Sequence, residues 1–419
     1  MANVAATFLS QAFSALSVIL LTPMLLKALG SADFGVYGLI LNAIVWGGIM
    51  DLGMNMGMLR RMIHEKERTA SLFSTLAIFY GGCLLLFCIA VMLLYRLHPT
   101  MFSGVTSAQA IMTILIMVQN VFATLLDVMI QSTQKIFKAK IIRIVKTIAE
   151  FSGILLVLQH HSLDNILQVM ATVNLLYILA LLIFTRKEIS FDFSWSAFRW
   201  SVLFDHGRYS IWYFLTTLSA VLVFNTQVFL IDRTVGAAML AQYIVFMRFF
   251  EIIRTSVSNF TIVLFPTIVA REKTNDLQQL RELLKMAFVR TGLLLLLLFI
   301  MLVLAGQPMF QWWTKGQVPF DRELFLYFLL FTVLILVDNV SAIFLGALKL
   351  NRIPTILALL QGLLALGFTY MAVPLMGLQG AILSSLVALL LTNLIFNPLY
   401  LIKQINRPRT VEESETQGV

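Results

Sequence analysis

The sequence predicts an all-α polytopic membrane protein: twelve transmembrane helices in two six-helix bundles related by pseudo-two-fold symmetry, both termini cytoplasmic. Three observations predict it. Hydrophobic residues make up 59% of the 419-residue chain against 12% charged, with a mean hydropathy of +0.90. Soluble domains carry roughly a quarter charged residues, so this chain lacks the polar coat that water demands. Apolar runs long enough to span a bilayer, about 20 residues each, recur along its whole length. Finally, basic residues are abundant in every second connection between those runs and sparse in the others.

The runs cover 6–26, 36–58, 71–95, 108–131, 141–159, 166–185, 209–231, 239–268, 288–306, 324–347, 354–374 and 380–402. The fifth, eighth and ninth carry charges. With a cytoplasmic N-terminus, 21 of the 30 Lys and Arg residues fall in cytoplasmic segments. Five are external (Lys27, Arg96, Arg233, Lys315, Arg322), and four lie inside spans (Arg143, Lys146, Arg248, Arg254). This is the bias of the positive-inside rule, and a wrong span count would scramble it. The N-terminal stretch has no basic region followed by a small-residue cleavage site, so it reads as a first span.

Residues 1–189 form the expected N-terminal bundle and 209–402 the C-terminal one. Between them, 190–208 are too short and polar to span. Phe191, Phe193, Trp195, Phe198 and Trp200 mixed with Asp192 and Arg199 suit a cytoplasmic segment lying in the interface. Residues 403–419 read as a disordered polar tail. Trp312 and Trp313 fit an external aromatic belt. The Met-rich stretch from Met50 to Met62 reads as packing. An internal repeat supports the two-bundle division: Lys27-x-x-Gly30 with Tyr37, and Arg233-x-x-Gly236 with Tyr243, match at one offset of 206. Parallel bundles of this kind would place a substrate path between them.

This architecture leaves no room for a sizeable soluble domain, so nucleic-acid binding and soluble catalysis are excluded. No GxxxxGK[ST] loop occurs. The five histidines fall in loops or at helix ends without metal-ligand spacing, and the His160–His161 pair reads as solvated. Cys83 and Cys88 sit on different sides of one helix, as ordinary core residues. No cofactor, no metal and no enzyme activity are expected.

Ionised side chains inside apolar runs are costly unless they face a cavity or a partner. In the eighth span, Arg248, Glu251 and Arg254 are spaced three apart and share one broad face, two cations around one anion. In the fifth span, Arg143, Lys146 and Glu150 also share a face. Arg143 and Lys146 lie near the cytoplasmic end, where they either snorkel to the interface or face a lumen. Asp127 and Asp338 are single acids, with Lys135 and Lys349 as nearby pairing candidates. The four cations are the candidate binders of an anionic group. Glu251, Glu150, Asp127 and Asp338 are counter-ions or carriers of a coupled ion or proton.

Gly30-Ser31-Ala32-Asp33-Phe34-Gly35-Val36-Tyr37-Gly38-Leu39, followed by Asp51-Leu52-Gly53-Met54 and Arg60, resembles the opening of bacterial polysaccharide-export flippases. These are the Wzx-type O-antigen translocases of the multidrug/oligosaccharidyl-lipid/polysaccharide exporter superfamily. Pro374-Leu375-Met376-Gly377-Leu378-Gln379-Gly380-Ala381-Ile382 looks like the family's link between its last two helices. The link after the fifth span, from His160 to Asp164, departs from that pattern. The resemblance implies a bacterial inner-membrane flippase that moves undecaprenyl-pyrophosphate-linked oligosaccharide across the bilayer by alternating access. It also implies a cationic central cavity for the pyrophosphate, and other glycan-assembly membrane proteins as possible partners. Two other readings stay open: a drug or metabolite antiporter of the same superfamily, and a membrane-embedded glycan polymerase or ligase. The first span contains no charge to bind a cationic drug, and the external loops are short for an enzyme.

Overall fold

The computed structural model describes residues 2–55, 58–59, 62, 69–97, 104–133, 135–189, 194–262, 264–273 and 277–406. All regular structure among them is helical. The helices are α1 (Ala2–Gly47), α2 (Thr69–Leu97), α3 (Ser107–Ser132), α4 (Ile136–Val157), α5 (Leu163–Glu188), α6 (Trp200–Phe224) and α7 (Gln227–Val235). They continue with α8 (Ala237–Ile262), α9 (Phe265–Lys273), α10 (Leu277–Thr314), α11 (Arg322–Ala347), α12 (Arg352–Met376), α13 (Leu378–Leu391) and α14 (Asn393–Asn406). Among the described residues, ten helices are long and apolar enough to cross a membrane. Their exposed residues include Leu293, Leu297, Leu304 and Leu375, the last two 78% and 85% exposed. Lipid, not water, is the solvent such a surface requires.

The described parts of the apolar runs fall mostly on helix, but the runs and helices are not one to one. α1 is 46 residues long, or about 69 Å at 1.5 Å per residue, twice the hydrocarbon thickness. It is broken at Gly30, whose φ of 75° and ψ of 173° are far from helical. Its first limb holds the first run and its second limb the start of the second, which continues through a 3-10 turn at Gly48–Asp51. Gly236, at the matching position of the repeat, also has a left-handed φ, of 85°, and separates α7 from α8. A residue with a Cβ disfavours such angles, so the repeated glycine marks a repeated break. Tyr37 and Tyr243 are both buried.

The seventh, eighth and twelfth runs are each split into two helices, between Phe224 and Gln227, between Ile262 and Phe265, and at Thr392. α6 begins at Trp200, so the last nine residues of the expected interfacial segment are already helical. Ahead of it, Trp195–Ala197 form a single 3-10 turn. Trp195, Trp200 and Phe204 are all strongly exposed. Residues 190–193 lie outside the described residues. Lys403–Asn406, expected in the tail, complete α14, and 407–419 are outside the described residues.

Two compact units are formed: residues 1–221 with 235–241, and 222–234 with 242–419. In the first, α3 packs on α5, α1 on α4, and α4 on α5. Its core includes Met54, Met58 and Met62 with Leu76, Tyr80, Leu125 and Met129, so this part of the Met-rich stretch does pack. The break in α1 is closed from outside the helix: His161 Nδ1 donates to the carbonyl of Ala28 at 2.7 Å. Both histidines of the pair are exposed, in line with the solvated reading, and His161 also supplies the donor that a carbonyl freed by the break needs.

In the second unit, α12 packs on α13, and α11 on α10, α13 and α14. Phe246, Phe249, Phe250, Phe310, Phe325 and Phe328 form an aromatic core, with Phe250 and Phe328 stacked at 5.6 Å. Trp313 joins it, 5.8 Å from Phe249, whereas Trp312 is 82% exposed. The two tryptophans expected to share a belt therefore part ways, because neighbours on a helix point about 100° apart.

Candidate functional site

The charges singled out in the sequence form two separate sets, one in each unit. In the first unit, α4 presents Arg143 toward α3. Arg143 Nη2 donates to Asp127 Oδ2 at 2.6 Å. Gln131, one turn along α3, donates to the same oxygen at 3.0 Å. Asp127 is 3% exposed and its Oδ1 has no hydrogen-bond partner. The carboxylate is thus tied on one side only. Lys146 Nζ lies 3.5 Å from Glu150 Oε2 and 5.6 Å from the ring centre of Tyr177 on α5. A cation over a ring face gains electrostatic attraction, so Tyr177 belongs to this set. Aromatic residues abound in this sequence, and nothing local distinguished that one.

Lys135 does not pair with Asp127. It and Lys138 both bind Glu188 at the end of α5. Asp127 instead takes its cation from Arg143, further along α4. Arg143 and Lys146 are therefore engaged by acids and an aromatic ring, which goes beyond simple snorkelling.

In the second unit, α8 carries Arg248, Glu251 and Arg254 in its apolar middle. The anion is not shared between the two arginines. Arg248 Nη1 donates to Glu251 Oε2 at 2.6 Å, while the Arg254 guanidinium lies 4.0 Å over the Phe224 ring centre at the end of α6. Arg254 makes no ion pair with a carboxylate among the described residues. The surplus positive charge of the cluster is therefore localised on Arg254, held over an aromatic face.

Asp338 on α11 likewise does not pair with Lys349. It accepts from Asn397 Nδ2 of α14 at 2.8 Å, is 7% exposed, and makes no ion pair among the described residues. The neighbouring Asn339 donates to Ser258 at 3.3 Å and Thr261 at 3.2 Å, both on α8. Asn393 donates to Gln361 at 2.7 Å. A further polar link joins Tyr243, Gln227 and Ser385: the tyrosine hydroxyl donates to Gln227 Oε1 at 2.7 Å, and Gln227 donates to Ser385. Such side chains join helices in lipid, where an unpaired polar group is costly. The sequence reading followed charges alone and passed over these amides; an Asn or Gln inside an apolar run was the available signal.

The comparisons with known proteins agree with this architecture. No curated protein matches the chain in sequence. Among solved structures, the lipid II flippase MurJ in its inward closed conformation is similar at a TM-score of 0.71. The identity is 13%, covering 97% of this chain and 87% of that one. A multidrug resistance MATE family transporter of the MOP superfamily, inward-facing, is similar at 0.65 and 13% identity, covering 96% of both chains. The MATE multidrug transporter DinF-BH is similar at 0.66 and 15%, over 96% of this chain and 94% of that one. These likenesses show a shared fold. A family model described as polysaccharide biosynthesis protein matches residues 24–313. It covers both candidate clusters apart from Asp338, and the chain belongs to the polysaccharide biosynthesis protein family.

Proposed function

We propose that this protein is a flippase that carries an undecaprenyl-pyrophosphate-linked oligosaccharide, an O-antigen or related repeat unit, from the inner to the outer leaflet of a bacterial cytoplasmic membrane. The observation that carries it is Arg254, a cation in the apolar middle of α8 with no carboxylate ion-pair partner among the described residues, in a member of a polysaccharide biosynthesis family. A fixed, uncompensated cation at membrane depth is expensive, and an anionic group that passes by it offsets that cost. Arg248 is within about 9 Å along the helix and is held by an exchangeable ion pair, so a pyrophosphate can meet both arginines.

The proposed topology has twelve crossings with both termini cytoplasmic. It adds two crossings to the ten long apolar helices: one for the break at Gly30, which divides α1, and one for α4, whose Lys138, Lys140, Arg143, Lys146 and Glu150 make it too charged to be recognised by hydropathy. Arg143 and Lys146 serve as a secondary cationic station. Glu251, Glu150 and Asp127 act as counter-ions to Arg248, Lys146 and Arg143. Asp338, with no ion-pair partner among the described residues, is the carboxylate left for ion or proton coupling. A drug antiporter would share the fold, but two arginines against one glutamate in the middle of α8 favour an anionic cargo. In both clusters the acids are tied to basic side chains, which suits counter-ions better than the acid and base pair of a glycan polymerase or ligase.

The test is surface glycan display in a strain that depends on this protein. Arg254→Ala should reduce display at least tenfold at normal membrane level, and Arg248→Ala, Arg254→Ala together should abolish it. Full display from the double variant overturns the proposed site.

A further inference from the structure

The second unit contains a groove of about 330 Å³ between the start of α10 and the end of α14. It lies outside both charge clusters. Phe288, Pro398, Leu401 and Ile405 line it, with Arg281 and Lys285 at its edge. Leu401 and Ile405 are buried in a local core with Leu280 and Ala287, so the floor is solid. Arg281, Lys285 and Ile402 are exposed, so the groove reaches the surface. Its volume falls at the low end of ligand sites, roughly 300–1,000 Å³.

The charges at the edge are arranged for an anion. Arg281 and Lys285 are four residues apart on α10 and therefore stand one above the other on the same face. Like charges at that spacing repel and destabilise a helix. Neither makes an ion pair with an acid among the described residues. An anion placed between them removes the repulsion and gains two charge-assisted hydrogen bonds. Apart from these two residues and Asn406, the lining is hydrocarbon. One ligand chemistry fits both parts: a phosphate monoanion joined to an acyl chain.

We propose that this groove holds a single anionic phospholipid, with its phosphate between Arg281 and Lys285 and one acyl chain along Phe288, Leu401 and Ile405. A basic pocket between membrane helices at the interface is the physical form such sites take. Arg281 and Lys285 near the start of α10 and Lys403 near the end of α14 are basic, which in the proposed topology places the groove in the cytoplasmic leaflet. The lipid ties the α10 start to the α14 end, two segments far apart in the sequence.

The experiment is native mass spectrometry of the purified full-length chain titrated with dioleoyl phosphatidylglycerol or dioleoyl phosphatidylcholine. The wild type should retain one phosphatidylglycerol molecule more strongly than phosphatidylcholine. Arg281→Gln with Lys285→Gln should lower that occupancy at least fivefold. Ile402→Trp, which crowds the groove and keeps both charges, should lower it as well. A control pair, Lys349→Gln with Arg352→Gln, should leave it unchanged. Unchanged occupancy in the Arg281, Lys285 variant overturns the site, as does equal retention of phosphatidylcholine. An equal loss in the control pair overturns it in favour of diffuse attraction to basic surface. Displacement of phosphatidylglycerol by undecaprenyl phosphate at equal concentration would assign the groove to the polyprenyl carrier instead. None of these readouts depends on glycan transport, so the lipid site and the flippase assignment stand or fall separately.

Discussion

Arg143 on α4 reaches across to Asp127 on α3, 2.6 Å from its Oδ2, and is the cation that neutralises this almost fully buried carboxylate. The acid is sealed in protein while the base is still 41% exposed at its side chain. The pair is therefore asymmetric: losing the arginine strands a buried charge, whereas losing the acid only frees a half-solvated cation.

That asymmetry predicts the outcome of single substitutions. Arg143→Met should destabilise the protein by about 1–3 kcal/mol, the cost of leaving a buried acceptor unsatisfied. Asp127→Asn should cost less, and Arg143→Met with Asp127→Asn should recover part of the loss. Thermal unfolding midpoints in detergent check this. Equal losses for both single variants would contradict the asymmetry.

The two arginines of α8 should differ in what they require. Arg248 is held through an ion pair that a lysine can also make, so Arg248→Lys should retain most glycan display. The Arg254 guanidinium lies 4.0 Å over the Phe224 ring centre, a contact that a planar guanidinium makes better than an ammonium. Arg254→Lys should therefore lose several-fold more than Arg248→Lys. Phe224→Leu should reproduce part of the Arg254→Lys loss at normal protein level. Glu251→Gln should reduce display only partially if Glu251 acts as a counter-ion to Arg248.

Three glycines near the α1 end should rank by geometry. A Cβ on Gly53 would fall 2.6 Å from both the Phe214 nitrogen and the Ser210 carbonyl oxygen on α6. Its φ of +70° adds strain for any L side chain, about 1–2 kcal/mol. A Cβ on Gly35 would fall 2.0 Å from the Ala237 carbonyl oxygen. A Cβ on Gly48 meets nothing within 4 Å. Gly53→Ala and Gly35→Ala should each lower the thermal midpoint by several degrees, with Gly48→Ala close to wild type.

Topology is tested by reporter fusions. Fusions after Lys187 and Lys273 should report as cytoplasmic, and a fusion after Gln317 as external. The connection holding Gln317 joins α10 to α11 through Lys315 and Gly316, both at positive φ. A cytoplasmic signal from Gln317 would remove one crossing and break the twelve-helix arrangement.

The sequence by itself determined the solvent, the helical class and the positions of the helices, because these depend on properties that repeat along one dimension. Apolar run length marked where helices lie, and the 206-residue repeat located the glycines at which two of them break. The same one-dimensional signal could not show how each helix is rotated or which neighbour it meets. Tertiary structure alone decided that Asp127 takes Arg143 and not Lys135, that Asp338 takes Asn397 and not Lys349, and that Arg254 rests on Phe224. In each case the partner is chosen by which faces of packed helices come together. In lipid that choice is enforced by the cost of leaving a polar group unpaired, and sequence distance plays no part in it.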